Sequence, residues 1–135
     1  MISHAGAITI WVRDQDEALK FYTEKMGLEL YMDDSSQGFR WLTVRPKGAQ
    51  TAFVLMAPSE MMGGPAQKEF AESSIGKGPG IVWETNDIQA THRELSAKGI
   101  EFIEPPAKQP WGMMQAIFKD LYGNAFVLVE PPPGM

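Results

Sequence analysis

The chain has 135 residues, 44% of them apolar and 21% charged, a globular mix that excludes a disordered or collagen-like chain and fits one domain. Twelve Lys and Arg against seventeen Asp and Glu give a formal charge of -5, which argues against a broad nucleic-acid or anionic-membrane surface. Cysteine is absent, which excludes disulfides, thiol catalysis, Cys-zinc sites and iron–sulfur clusters, and imidazole chemistry is confined to His4 and His92.

The β-branched and aromatic run over residues 6–13 predicts a strand. Asp14, with Glu17 three residues on, is a helix cap, and Ala18, Phe21 and Tyr22 recur at helical spacing, so a helix is expected over 15–26 with Gly27 just past its end. Strands are expected over 28–33, 38–45 and 50–57, joined by the turns Asp33–Gly38 and Pro46–Gly48. Residues 58–78 carry six Gly and Pro with Met61-Met62 among them and read as a connector, with a short helical turn over 68–73.

A second strand–helix–strand series follows. Residues 80–85 predict a strand, Asp87 caps a helix carrying Ile88, Thr91 and Leu95, and Gly99 ends it. Residues 100–103 form a short strand that Glu104-Pro105-Pro106 stops; strands over 112–118 and 125–130 flank a tight turn at Asp120–Asn124, and Pro131–Gly134 is the tail. The chain is thus an α+β fold of two β-α-β-β-β modules, about 6–57 and 79–130. Each has one helix-covered sheet face and one bare face, and both are expected to share a core. No run approaches the roughly 20 apolar residues of a membrane span, and no basic start precedes an apolar run, so a cytoplasmic location without membrane contact is expected.

Val12-Arg13-Asp14, Ala18, Phe21-Tyr22 and Met26-Gly27-Leu28-Glu29 stand in the first module. Glu84-Thr85-Asn86-Asp87-Ile88, Leu95, Gly99 and Lys119-Asp120-Leu121-Tyr122-Gly123-Asn124 stand in the second. On these residues the chain resembles the vicinal oxygen chelate superfamily, which includes glyoxalase I, extradiol dioxygenases, fosfomycin resistance enzymes and bleomycin resistance proteins. The resemblance covers nearly the whole chain and implies one glyoxalase/bleomycin-resistance-like domain, its modules forming a curved mixed sheet around a cup, in a homodimer.

The superfamily's enzymes hold a divalent metal in the cup with His, Gln or Glu ligands. By this resemblance the ligand places fall on Ala7, Leu55, Ile81 and Val127, which offer no lone pair. No metal and no cofactor are therefore expected, and metal-dependent glyoxalase or dioxygenase chemistry is disfavoured. A relocated site would draw on His4, Glu84 or Glu130, all wrong by strand parity, and a metal-independent enzyme on those residues, Tyr22 or Tyr122.

Strand parity puts Thr9 and Trp11 beside Ala7, Phe53 beside Leu55, and Trp83 beside Ile81. Trp111 and Met113 lie in Gln109–Met114, whose Pro110-Trp111-Gly112 segment resembles the corresponding stretch of bleomycin resistance proteins. The expected ligand-binding residues are Thr9, Trp11, Phe53, Trp83, Trp111 and Met113, with methionines 56, 61, 62, 113 and 114 around the opening and the facing of Trp41 open. The function expected is metal-free binding of a flat or cationic small molecule in an aromatic cup. The alternative is a glyoxalase-like lyase or isomerase with a relocated or absent metal.

Overall fold

The Asp14 carboxylate accepts from the Glu17 backbone N–H at 3.0 Å, and the Asp87 carboxylate from that of Ala90 at 2.9 Å. Both satisfy a donor that the first helical turn leaves free. Gly27 and Gly99 follow with φ of 79° and 90°, a backbone region open to glycine at no steric cost. The repeat read from caps and glycines is therefore present as two β-α-β-β-β series. The computed structural model describes residues 1–133, Met62 by its backbone alone, and divides into two compact units, Met1–Lys77 and Gly78–Met135. Gly134 of the expected tail and the Met62 side chain lie outside the described residues.

The first unit contains β1 (Ala7–Trp11), α1 (Gln15–Lys20), β2 (Glu29–Asp34), β3 (Trp41–Arg45), β4 (Ala52–Met56) and α2 (Gly64–Ser74). Its strands form one sheet in the order β1-β4-β3-β2, with β1 parallel to β4 and the other pairs antiparallel. α1 is shorter than expected because residues Phe21–Lys25 continue as a π-helical turn. The Thr23 hydroxyl donates to the Leu19 carbonyl at 2.7 Å, and Met26 N–H bonds to Phe21 rather than Tyr22. A side chain that competes for a helical carbonyl loosens the ladder there.

The connector is more ordered than its Gly and Pro content suggests. Ser59 caps a 3-10 turn at Glu60–Met62, and α2 then runs eleven residues instead of one turn. Pro65 sits in the first turn of α2, where its missing N–H costs nothing.

The second unit contains β5 (Val82–Glu84), α3 (Ile88–Ala97), β6 (Phe102–Lys108), β7 (Met114–Lys119) and β8 (Ala125–Glu130). The sheet order is β5-β8-β7-β6, with β5 parallel to β8. Glu130 adds a second cap to α3, its carboxylate accepting from Ile88 N–H at 2.8 Å. The core is an aromatic chain in which His92 of α3 meets Phe102 edge-on, followed by Phe118, Phe126 and Trp83. His92 is thus half-buried, not solvated.

Pro105 and Pro106 do not stop β6, which runs through them to Lys108. The strand lies at the sheet edge and its register shifts between Phe102 and Glu104 and again before Ala107. An edge strand with bulges tolerates residues that cannot donate a ladder hydrogen bond.

Candidate functional site

In the first unit the β1–β4 ladder pairs Thr9 with Val54, Ile10 with Leu55 and Trp11 with Met56. The β3–β4 ladder pairs Thr43 with Val54 and Val44 with Phe53. Directly paired residues share a face and neighbours along a strand alternate. One face therefore carries Thr9, Trp11, Trp41, Thr43, Val54 and Met56. The other carries Ile10, Leu42, Val44, Phe53 and Leu55, all buried, as are Ala18, Phe21 and Tyr22 on the α1 side.

α2 lies over the Thr9–Trp11 face. It buries Ala71 to 1% exposure and leaves a cavity of about 140 Å³ between helix and sheet. Trp11, Trp41 and Met56 form its apolar walls with Ala57 and Ala71, while Thr9, Ser59 and Gln67 supply its polar groups. Thr9 and Gln67 are exposed, and the two tryptophans half-buried. No lining side chain is ionisable.

The strands that carry the walls are tied at their ends. Gln15, the first residue of α1, donates through its amide to the carbonyls of Leu55 and Arg40 at 2.7 and 3.1 Å. Arg40, next to Trp41, is engaged by Asp33 through two bonds of 2.9 Å and by Asp16 at 2.6 Å. The guanidinium's hydrogen bonds hold the Asp33 carboxyl below its ordinary value, and those with Asp33 and Asp16 push the arginine's own pKa further up. Arg40 is thus spent on carboxylates at the sheet edge.

The structure brings Thr9 and Trp11 together with Trp41, whose facing is now fixed, and with Met56. Phe53 lies on the opposite face of the sheet, because the register slides β4 by one residue from the expected one. Trp83 packs edge-on against Phe126, ring centroids 5.9 Å apart, in the α3-side core of the second unit. The spacing from each strand to its capping aspartate matches Trp11 with Glu84 and Ile10 with Trp83, so the two tryptophans are not equivalent. Trp111 is 66% exposed at the turn before β7, and the Met113 carbonyl closes that turn with Gln109 N–H. Met61 is exposed and packs over Gly38, where a Cβ would meet its Cε at 3.0 Å.

Sequence reasoning missed Ser59, Gln67 and Ala71. The signals were there: Ser59 as a cap, Gly64-Pro65 as a helix start, and a Lys68–Glu72 pair one turn apart. The Gly and Pro count of the connector outweighed them.

The family profile described as the Glyoxalase/Bleomycin resistance protein/Dioxygenase superfamily matches residues 2–128. The chain belongs to this superfamily. YetH of Bacillus subtilis (strain 168), an uncharacterized protein, is 36% identical over 131 residues, covering 96% of this chain and 100% of its own. The crystal structure of UcmS2 superposes with a TM-score of 0.82 at 33% identity, covering 96% of this chain and 98% of its own. TnmS3, described as an antibiotic binding protein from Streptomyces sp. CB03234, gives 0.78 at 34% identity, covering 97% and 98%.

Some members of the superfamily hold a divalent metal, and the donor set here does not fit one. The places by resemblance are Ala7, Leu55, Ile81 and Val127. Correcting the β4 register replaces Leu55 with Val54 or Met56, which adds no nitrogen or oxygen donor. Among the described residues no three His, Asp or Glu side chains converge. His4 is exposed beside Ser3 and Gln50, Glu84 is exposed, and Glu130 caps α3. Tyr22 is fully buried and Tyr122 lies in the Asp120–Asn124 turn. None of them lines the cavity.

Proposed function

We propose that this chain is a small-molecule binding protein that takes a flat aromatic ligand, cationic or uncharged, against Trp11 and Trp41 without a metal. The observation that carries this reading is the pairing of two half-buried tryptophans around a cavity whose lining has no ionisable group. An aromatic wall contributes about 0.5–1.5 kcal/mol to a stacked ring beyond the area it buries. The likeness to TnmS3, an antibiotic binding protein, supports a ligand of that kind. Acid–base catalysis has no candidate group in this cavity, so binding is the better reading. Trp111 and Met113 stay in the proposal as a separate ligand contact in the second unit.

A homodimer and a cytoplasmic location belong to the same proposal. The half-exposed Leu30, Tyr31 and Met32 on edge strand β2 supply an apolar surface for self-association. No helix among the described residues is long and apolar enough to cross a membrane.

Titration of the intrinsic tryptophan fluorescence with a panel of planar aromatic compounds, from single rings to multi-ring drugs, tests the reading. Saturable change that Trp11→Leu and Trp41→Leu weaken is expected, and a flat response across the panel overturns it. Metal analysis of protein purified without chelator is the second test. A stoichiometric divalent ion overturns the metal-free part, and light-scattering mass measurement decides the dimer.

A further inference from the structure

We infer that the Trp11/Trp41 cavity selects an uncharged, single-ring aromatic ligand bearing a hydrogen-bond acceptor, and that Gln67 of α2 is its specificity-determining polar contact. This rests on the binding function proposed above and narrows it. Three observations carry it.

The first is size. A cavity of about 140 Å³ lies close to the roughly 150 Å³ in which an engineered apolar cavity accommodates benzene, and well below the roughly 300–1,000 Å³ of drug-sized sites. The buried Ala71 sets the limit, because it holds α2 down on the sheet. A larger ligand would have to lift the helix or leave part of itself outside the mouth.

The second is charge. The lining offers an ion of either sign no counter-charge, and the nearby Arg40 is already paired with Asp16 and Asp33. An anion moved from water into such a site loses hydration without a partner, and a cation regains only what the two indole faces supply, with no carboxylate beside them.

The third is the polarity of the free groups. The indole N–H of Trp11, that of Trp41 and the amide of Gln67 make no hydrogen bond to the described residues. Indoles donate only, while the amide donates twice through its NH2 and accepts through its oxygen, so donors outnumber acceptor atoms among these three groups. The Ser59 hydroxyl already accepts from Met61 N–H. An acceptor such as a ketone or amide oxygen matches this donor surplus better than a second donor does. Gln67 sits at the exposed mouth, one helical turn before Ala71, where an acceptor on the ring can reach it.

The experiment compares acetophenone, phenyltrimethylammonium and benzoate, which share a ring and differ in charge, with 1,4-naphthoquinone as a larger probe. Calorimetry and backbone amide shifts read binding to the full chain. Acetophenone is expected to bind about tenfold or more tightly than either ion, with an affinity unchanged between about 0.01 M and 1 M salt. Gln67→Glu, at an exposed site that leaves the fold alone, should weaken acetophenone and favour phenyltrimethylammonium.

Tighter binding of either ion by the unmodified protein overturns the inference, and so does an unaltered preference in Gln67→Glu. Binding of naphthoquinone with none of the single-ring probes also overturns it, while leaving the binding function standing. Silence from all four probes and from the planar drugs removes both.

Discussion

The side-chain amide of Gln15 donates to the carbonyl of Leu55 at 2.7 Å. With its second bond, to Arg40, one amide joins the start of α1 to the residue before Trp41 and the residue before Met56. Two walls of the cavity are thus placed from the opposite side of the sheet. Gln15→Ala leaves two carbonyls short of a donor, one on a strand with every residue buried, and should cost about 1–3 kcal/mol. A urea midpoint shift at unchanged slope measures it. Gln15→Glu, equal in shape but acceptor-only at neutral pH, should cost at least as much.

Gly63 joins the 3-10 turn to α2 with φ 131° and ψ 9°. A Cβ there would come within 2.9 Å of the Gln67 Cβ, besides forcing an L-residue into a backbone region it rarely adopts. Gly63→Ala should destabilise the start of α2 by about 1–3 kcal/mol. Faster hydrogen exchange in α2, with α1 amides unchanged, is the expected result. Loss of protection throughout the first unit would show instead that α2 does not open by itself.

Acid should weaken the β2 edge. Arg40 holds Asp33 below its ordinary 3.8, and Arg45 with the Gly48 N–H holds Glu29 below its ordinary 4.5. A carboxyl with a depressed folded-state pKa contributes stability that is complete above its unfolded value and lost as pH falls through the folded one. The loss therefore begins near 4.5 for Glu29 and 3.8 for Asp33 and continues below. Both pairs are partly solvated, so high salt should shrink the effect. Melting temperatures from pH 7 downward test this: Asp33→Asn with Glu29→Gln should flatten the acid limb, and parallel limbs would refute it.

Asn124 is fully buried in the turn between β7 and β8. Its amide donates to the Asp120 carboxylate at 2.7 Å, its carbonyl oxygen accepts from Gly78 N–H at 2.8 Å, and its own N–H returns to Asp120 at 2.8 Å. Asn124→Ala keeps the last bond, takes one of several donors from the Asp120 carboxylate and removes the acceptor of the Gly78 N–H. A loss of about 1–3 kcal/mol follows from the two bonds removed, because the carboxylate keeps its backbone donors and Gly78 is only half-buried. Denaturant unfolding monitored at the β7–β8 amides checks it.

The helices and caps were legible in the sequence because each rests on local chemistry. Asp14, Asp87, Gly27 and Gly99 act on backbone groups within a few residues. Strand register was less legible. The one-residue slide that turns Phe53 away from Thr9 is set by pairing between strands far apart in sequence, and periodicity fixes only alternation, not phase. For the same reason alternation along β1 is enough to put Trp11 beside Thr9, while the facing of Trp83 depends on the pairing of β5 with β8. α2 exceeds the expected single turn because its amphipathic signal is weak: one buried residue, Ala71, covers the cavity while Phe70 beside it stays 59% exposed. Strand β6 outruns its expected end at Ile103 because proline excludes only a central strand, and nothing local distinguishes centre from edge.

The same prolines bear on how the molecule behaves in a crowded solution. An edge strand offers its outward N–H and C=O groups to any passing extended chain, which is how sheets grow into fibrils. Pro105 and Pro106 have no N–H to offer, and the shifted register bends the strand on either side of them. β6 therefore closes its sheet against strand addition, and replacing both prolines with valine would turn a blunt border into an adhesive one.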